Sequence, residues 1–375
     1  MIKQLHVISG LGTGGSEMAL YRLLSSGLGH RDQVYVVSLL DAGSIGPLIT
    51  GLGIHVVPLN IGSIFRLPLA ILQLLQVLRS FRPDLIQGWM YHGNLIASLA
   101  AALAPGAPAL VFNIRQCLYD IKAEKSTTRY VIRCNRWLSS RVGVVVYNST
   151  LARQQHEAFG FSCTHGEVIP NGFDVAVFRP NTVRRRLARA GLDAATDELV
   201  IGHVGRLHPI KGHASFLRAA VSVLEQRQDV RFALLGRDVF PDHPLLEGII
   251  PRGLMRYFVF LGERLDVGDW MQGMDIFCQS SQAEAFPNVL GEAMASGLPC
   301  VATAVGDAPS IVGETGILVP PQDPRALARG LLTMLDKSSS DRLALGRAAR
   351  ARVARCFSLS NAVARYRDLY TRLVR

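Results

Sequence analysis

No two of the six cysteines (Cys117, Cys134, Cys163, Cys278, Cys300 and Cys356) form a C-x-x-C pair. That absence removes the usual zinc or disulfide framework and suits small buried thiols in a reducing cytosol. Acidic and histidine residues show no zincin spacing and D-x-D is absent, so no metal is expected. Charged residues are few, at 18%, but 49% are hydrophobic, which argues against disorder and provides for real cores. Unbroken apolar runs of membrane-spanning length are also lacking. Residues 67–78 supply about half of the roughly 20 positions a span needs, and Pro105-Gly106-Ala107-Pro108 breaks residues 95–112 into a helix and a strand. Met1-Ile2-Lys3 runs straight into a strand, so no secretory signal is expected.

What is present is a chain of 375 residues, comfortable for two domains. Its net charge is +11, from 40 basic and 29 acidic residues. Nucleic acid, anionic lipid or phosphorylated substrates could answer that charge. No zinc-finger, homeodomain or RNP-type signature accompanies it, which makes nucleic acid the weakest of the three. Lys122, Lys125, Arg129, Arg133, Arg136 and Arg141 lie near Tyr130, Val131, Ile132, Trp137 and Leu138. Such a helix fits a membrane surface or a solvated face equally.

Short apolar runs at 6–9, 33–39, 55–58, 85–88, 109–112 and 142–147 read as buried parallel strands. Helical patterns at 16–26, 69–80 and 94–103 lie between several of them. A second series follows at 199–205, 231–236, 258–262, 276–280 and 300–304. The alternation predicts two doubly wound α/β sheets, one over residues 1–175 and one over 176–357. The last stretch, 358–375, is helical, with Val363, Tyr366, Leu369, Tyr370 and Leu373 on one side.

Two segments carry the chemistry. Arg206 and Lys211 follow a strand ending at Gly205, with a helix starting near Gly212 or His213. Ligands of open α/β sheets bind at carboxyl strand ends, where two fixed cations could hold a diphosphate as it leaves. The second segment, Glu284-Ala-Phe-Pro-Asn-Val-Leu-Gly-Glu292, follows a buried strand. Pro287 suits the first turn of the helix carrying Glu292, Gly297 suits the position after its end, and Pro299 prevents continuation. The open helix start favours an anion. A carboxylate beside that anion needs a separate task, such as accepting sugar hydroxyls.

This segment resembles the E-x7-E motif of the retaining glycosyltransferases of family 4. Three further matches occur in family order: Gly14-Gly15-Ser16-Glu17, Ile169-Pro170-Asn171-Gly172-Phe173-Asp174, and Gly205-Arg206-Leu207-His208-Pro209-Ile210-Lys211-Gly212. The resemblance implies a GT-B fold of two Rossmann-like domains facing a central cleft, with residues 358–375 returning to the first. It implies an acceptor-binding first domain and a second domain that binds a UDP- or GDP-sugar. Glu284 then contacts the donor sugar, Glu292 the ribose, and amides near Phe286, Asn288, Val289 and Leu290 the diphosphate. Loops around Gly236, Arg237 and 262–265 border the base. His92 contacts the donor sugar, while Arg115 and Tyr119 are acceptor candidates. Asn148, Ser149, Asn171 and Asp174 are expected to support the geometry. Transfer would proceed with retention, without metal or other cofactor, onto a glycan or polyprenyl-diphosphate-linked acceptor for cell-surface polysaccharide. The expected location is the cytoplasm, with peripheral attachment to the inner membrane face.

Gly10-Leu11-Gly12-Thr13-Gly14-Gly15 leaves an alternative. Gly10, Gly12 and Gly15 match G-x-G-x-x-G between a strand and a helix, and Asp41 falls where a ribose-binding acid would stand. Alone, this reads as an NAD-dependent enzyme; the competing reading is a glycine loop approaching a sugar diphosphate. The second-half motifs favour the latter, because a dehydrogenase leaves Arg206, Lys211 and both glutamates unexplained. A catalytically idle sugar-nucleotide binder is the other alternative.

Overall fold

A computed structural model describes residues 2–29, 33–62, 64–119 and 121–375. The chain forms two compact units, Met1–Gly172 with Leu359–Arg375, and Phe173–Ser358. The first unit holds seven strands: β1 (Gln4–Ile8), β2 (Val34–Ser38), β3 (His55–Pro58), β4 (Leu85–Trp89), β5 (Ala109–Ile114), β6 (Val144–Tyr147) and β7 (Gly166–Val168). All pair in parallel, in the order β3-β2-β1-β4-β5-β6-β7. The central strands are buried on both faces, as expected where helices cover both sides of the sheet.

Those helices form for readable reasons. Leu67–Phe81 buries Ala70, Leu74, Val77, Leu78 and Phe81, a stripe at helical spacing. Thr150–Ala158 is capped by Ser149, whose Oγ accepts the Ala152 N–H at 2.9 Å. The carboxyl-terminal helix Leu359–Val374 buries Val363, Tyr366, Leu369 and Tyr370 in the first unit. Its Tyr370 hydroxyl donates to Gln87 Oε1 at 2.5 Å, and its Tyr366 hydroxyl accepts from Asn113 Nδ2 at 2.8 Å.

The second unit holds β8 (Leu199–Val204), β9 (Val230–Leu235), β10 (Phe258–Gly262), β11 (Ile276–Gln279), β12 (Cys300–Thr303) and β13 (Gly316–Val319). They too pair in parallel, ordered β10-β9-β8-β11-β12-β13. The order reverses between β8 and β11, the switch point where such sheets bind ligands outside the carboxyl ends.

Several details depart from the sequence reading. Edge strands β7 and β13 were not expected, since each is short and only partly buried. The division falls at Gly172 and Phe173 instead of residue 175. Phe173 N–H donates to Phe357 O at 2.8 Å and its ring stacks on Phe286, which ties it to the second unit. Pro287 is the residue before the helix Asn288–Ala295, extended at ψ 97°, and not its first turn. Among the described residues, no helix is long and apolar enough to cross a membrane.

Candidate active site

The loops at the carboxyl ends of β8, β9, β11 and β12 are held together by glycines that have no room for a side chain. Gly212 (φ +70°) would drive a Cβ into the Ser280 carbonyl, and Gly236 (φ +153°) into that of Gly205. Gly306 (φ +55°) packs likewise on the carbonyls of Glu284 and Ala285. Hydrogen bonds complete the assembly. Leu207 N–H reaches Arg237 O at 2.8 Å and Gln282 N–H reaches Ile210 O at 2.7 Å. Ser280 Oγ donates to Gly212 O, and Thr303 Oγ1 to Ser281 O at 2.6 Å.

On this frame Lys211 Nζ donates to Glu284 Oε1 at 2.6 Å, and Ser281 Oγ donates to the same oxygen at 2.8 Å. The pair largely cancels its own charge. Arg206 differs: its side chain is exposed and has no hydrogen-bond or ion-pair partner among the described residues. It stands two residues after the end of β8 with its charge uncompensated. Arg237 is exposed as well, with Asp238 3.8 Å away.

The helix Asn288–Ala295 begins just after this loop. The start of a helix carries partial positive charge on its backbone N–H groups and favours an anion. Phe286 and Leu290 send their side chains into the core, so only their backbones could face a ligand. Glu292 is 7% exposed on the same helix. Gly291 lets that helix lie on Phe173, where an added Cβ would overlap the ring.

Sequence reasoning missed two buried histidines under the β8 loop. His213 Nε2 donates to Gly205 O at 3.1 Å, and His203 Nδ1 donates to Cys278 O at 3.0 Å. A carbonyl can only accept, so these bonds fix both tautomers. Burial pushes His213 down to about 4 and holds His203 well below the ordinary histidine value. No motif marks them; only their flanking of Lys211 in sequence could have drawn notice.

In the first unit, His92 is exposed near the start of the helix Met90–Leu103, directly after β4. Gly88 and Gly93 allow this placement, because a Cβ at Gly88 would strike Asn94 and one at Gly93 would come 2.6 Å from Val7 O. Met90, at φ +61°, turns the chain into that helix. Arg115 faces inward. Its guanidinium reaches Asn113 Oδ1 and the Tyr366 hydroxyl at 3.4 Å, bonds Asn171 Oδ1, and lies 5.4 Å from the Trp89 ring centre. Tyr119 is half exposed. Asn148 Nδ2 donates to Arg115 O at 3.4 Å, and Asp174 accepts the Ala176 and Val177 N–H groups of its own turn.

The glycine loop lacks the packing of a dinucleotide fingerprint. The third glycine there exists for close helix–strand contact, yet a Cβ at Gly15 or Gly12 meets nothing within 4 Å. Asp41 lies beyond the end of β2 and accepts Gly43 N–H at 3.1 Å, capping its own turn. Gly14 is crowded only by the Glu17 side chain. Among the described residues no group of three or more His, Cys, Asp and Glu could hold a metal ion.

Comparison with known proteins agrees with this layout. Residues 13–177 match the model described as Glycosyltransferase Family 4, and residues 198–337 the model described as Glycosyl transferases group 1. The chain is 34% identical over 218 residues to a D-inositol 3-phosphate glycosyltransferase of Streptomyces avermitilis, covering 54% of this chain and 46% of the relative. It is 30% identical over 178 residues to the lipopolysaccharide core biosynthesis mannosyltransferase LpsB of Rhizobium meliloti, covering 45% and 50%. The chain thus spans between about a third and just over half of the length of the curated relatives it matches. Its fold superposes on the crystal structure of Anabaena Alr3699/HepE in complex with UDP at a TM-score of 0.85 and 24% identity, covering 99% of this chain and 100% of that one. The same protein is also solved in complex with UDP-glucose. With both halves matched in family order, the chain belongs to the family 4 and group 1 glycosyltransferases and has the GT-B fold.

Proposed function

We propose that this protein is a retaining glycosyltransferase that moves a hexose-type sugar from a UDP- or GDP-sugar to a glycan or lipid-linked acceptor in cell-surface polysaccharide synthesis. The observation that supports it is the Lys211–Glu284 ion pair, formed between the loop after β8, which also carries Arg206, and the loop that leads into the helix at Asn288. A diphosphate leaving group gains negative charge as the anomeric bond breaks. Arg206 would take it with planar, bidentate donors, while Lys211 keeps further N–H donors beyond the one given to Glu284. Helix N–H groups add fixed partial charge. In this reading those groups balance the departing diphosphate without a metal.

Glu284, steadied by Lys211 and Ser281, would accept hydroxyl hydrogens of the donor sugar. Glu292 would accept from the ribose. His92, Gly14 and Gly15 are assigned to the sugar and diphosphate from the first unit, and Gly236 and Arg237 to the border of the base. An acceptor hydroxyl would pass its proton to the departing phosphate on the same face of the sugar, which keeps the anomeric configuration and needs no carboxylate base. HepE, solved with UDP and with UDP-glucose, supports a uridine donor. LpsB, by its name, supports the polysaccharide setting. The exposed Tyr130 and Trp137 beside Arg129, Arg133 and Arg141 support peripheral membrane contact.

A thermal-shift panel of UDP, GDP, ADP and NAD tests the reading. UDP or GDP should raise the melting temperature and NAD should not. Stabilisation by NAD, with none by UDP or GDP, would reject it.

A further inference from the structure

We infer that His213 is a positioning residue for the donor diphosphate, holding the loop that carries Arg206 and Lys211 in its binding shape. The inference rests on the glycosyltransferase reading and deepens it by naming what keeps those two cations in place. His213 opens the helix His213–Leu224, and its Nε2 donates back across eight residues to Gly205 O at 3.1 Å. That one bond joins the two ends of the loop 206–212, which holds both cations. Gly205 is also where the loop is most crowded. A Cβ on Gly236 would strike its carbonyl, and a Cβ on Gly205 itself would meet the Lys211 stem at 3.7 Å. The Gly205 carbonyl belongs to the planar peptide that leads into Arg206. Turning it would redirect Arg206 and shift the surface on which Lys211 lies.

The imidazole is held in turn. The His203 ring meets it edge-on, with centres 4.6 Å apart, and stacks on Phe216 at 4.8 Å. His203 Nδ1 donates to Cys278 O at 3.0 Å, on the strand that leads to Ser281 and Glu284. The two rings therefore fasten carbonyls on neighbouring strands, one just past the end of β8 and one near the end of β11. From those two strand ends come the partners of the Lys211–Glu284 pair.

Packing alone does not call for imidazole at these places. Both histidines are 2% exposed, and among the described residues nothing bonds His213 Nδ1 or His203 Nε2. Leucine would fill much of the same space with no polar group to bury. What leucine lacks is the N–H that reaches the carbonyl. Nor is His213 a ligand for the diphosphate: its N–H is given to Gly205 O, and burial keeps the ring neutral at ordinary pH.

Isothermal titration of UDP and uridine, or of GDP and guanosine, into wild type and three variants tests this. His213→Leu offers no donor. His213→Asn puts an amide at the Nδ1 position, too short for Gly205 O, and His213→Gln puts one at the Nε2 position. His213→Leu and His213→Asn should weaken the diphosphate at least tenfold with nucleoside binding unchanged. His213→Gln should stay within threefold of wild type. His156→Leu removes a buried imidazole from the first unit and should change neither ligand. If His213→Leu does not fold, the contrast between Asn and Gln decides alone. Four results would overturn the inference: wild-type diphosphate affinity without the donor, equal loss of diphosphate and nucleoside, no recovery with Gln, or the same selective loss in His156→Leu. In each of these the wild type still binds the diphosphate, so the donor reading stands. If wild type binds neither UDP nor GDP, the donor reading fails and the role of His213 fails with it.

Discussion

At the scale of single residues, the site is a contrast between paired and unpaired charge. Glu284 accepts from both Lys211 and Ser281, so its carboxylate is held in one orientation. Glu284→Gln keeps the shape and removes the charge. UDP should then bind at least as tightly, while sugar transfer falls about 10- to 100-fold, the worth of a charged hydrogen bond of roughly 1.5–3 kcal/mol. Steady-state kinetics beside UDP titration would show it, and unchanged turnover would remove Glu284 from the chemistry. Arg115 makes the opposite case. Its guanidinium bonds Asn113, Tyr366 and Asn171 inside the first unit. Arg115→Ala should cost about 1–3 kcal/mol of stability by stranding those partners. A variant with wild-type melting temperature and reduced turnover would return Arg115 to the acceptor.

At the scale of elements, the frame is set by backbone approach. Gly291 carries the helix of Glu292 onto Phe173, and Gly291→Ala should cost roughly 1–3 kcal/mol by overpacking. A thermal melt unaffected by that change would contradict the described contact. The same elements show what a sequence can reveal. The interior strands were legible because burial on both faces demands continuous apolar runs. Strands β7 and β13 were not, because an edge needs no such run: Gly166-Glu167-Val168 is half-buried throughout. That Arg206 and Lys211 follow a strand and that Glu284 precedes a helix was legible through Gly205, Gly212 and Pro287. The inward turn of Arg115 was hidden, since its partners Asn171 and Tyr366 are distant in sequence.

At the scale of the whole molecule, buried neutral histidines set an acid limit. Burial lowers His6 to about 3, and His156 and His213 to about 4, from an ordinary 6.5. The unfolded chain therefore binds protons below pH 6.5 that the folded chain refuses. Stability is fully present above pH 6.5 and is lost as pH falls toward 4; melting temperatures across that window should decline accordingly, and His213→Gln should flatten part of the slope. A flat profile would show that these rings are hydrated. Across both units, the central claim is that the second one grips a diphosphate through Arg206, Lys211 and the helix start at Asn288. Isothermal titration of UDP and uridine into wild type, Arg206→Ala and Lys211→Ala tests it most directly. The account predicts that UDP binds far more tightly than uridine, and that each substitution weakens UDP at least tenfold without touching uridine. Equal affinity for UDP in all three proteins would contradict it.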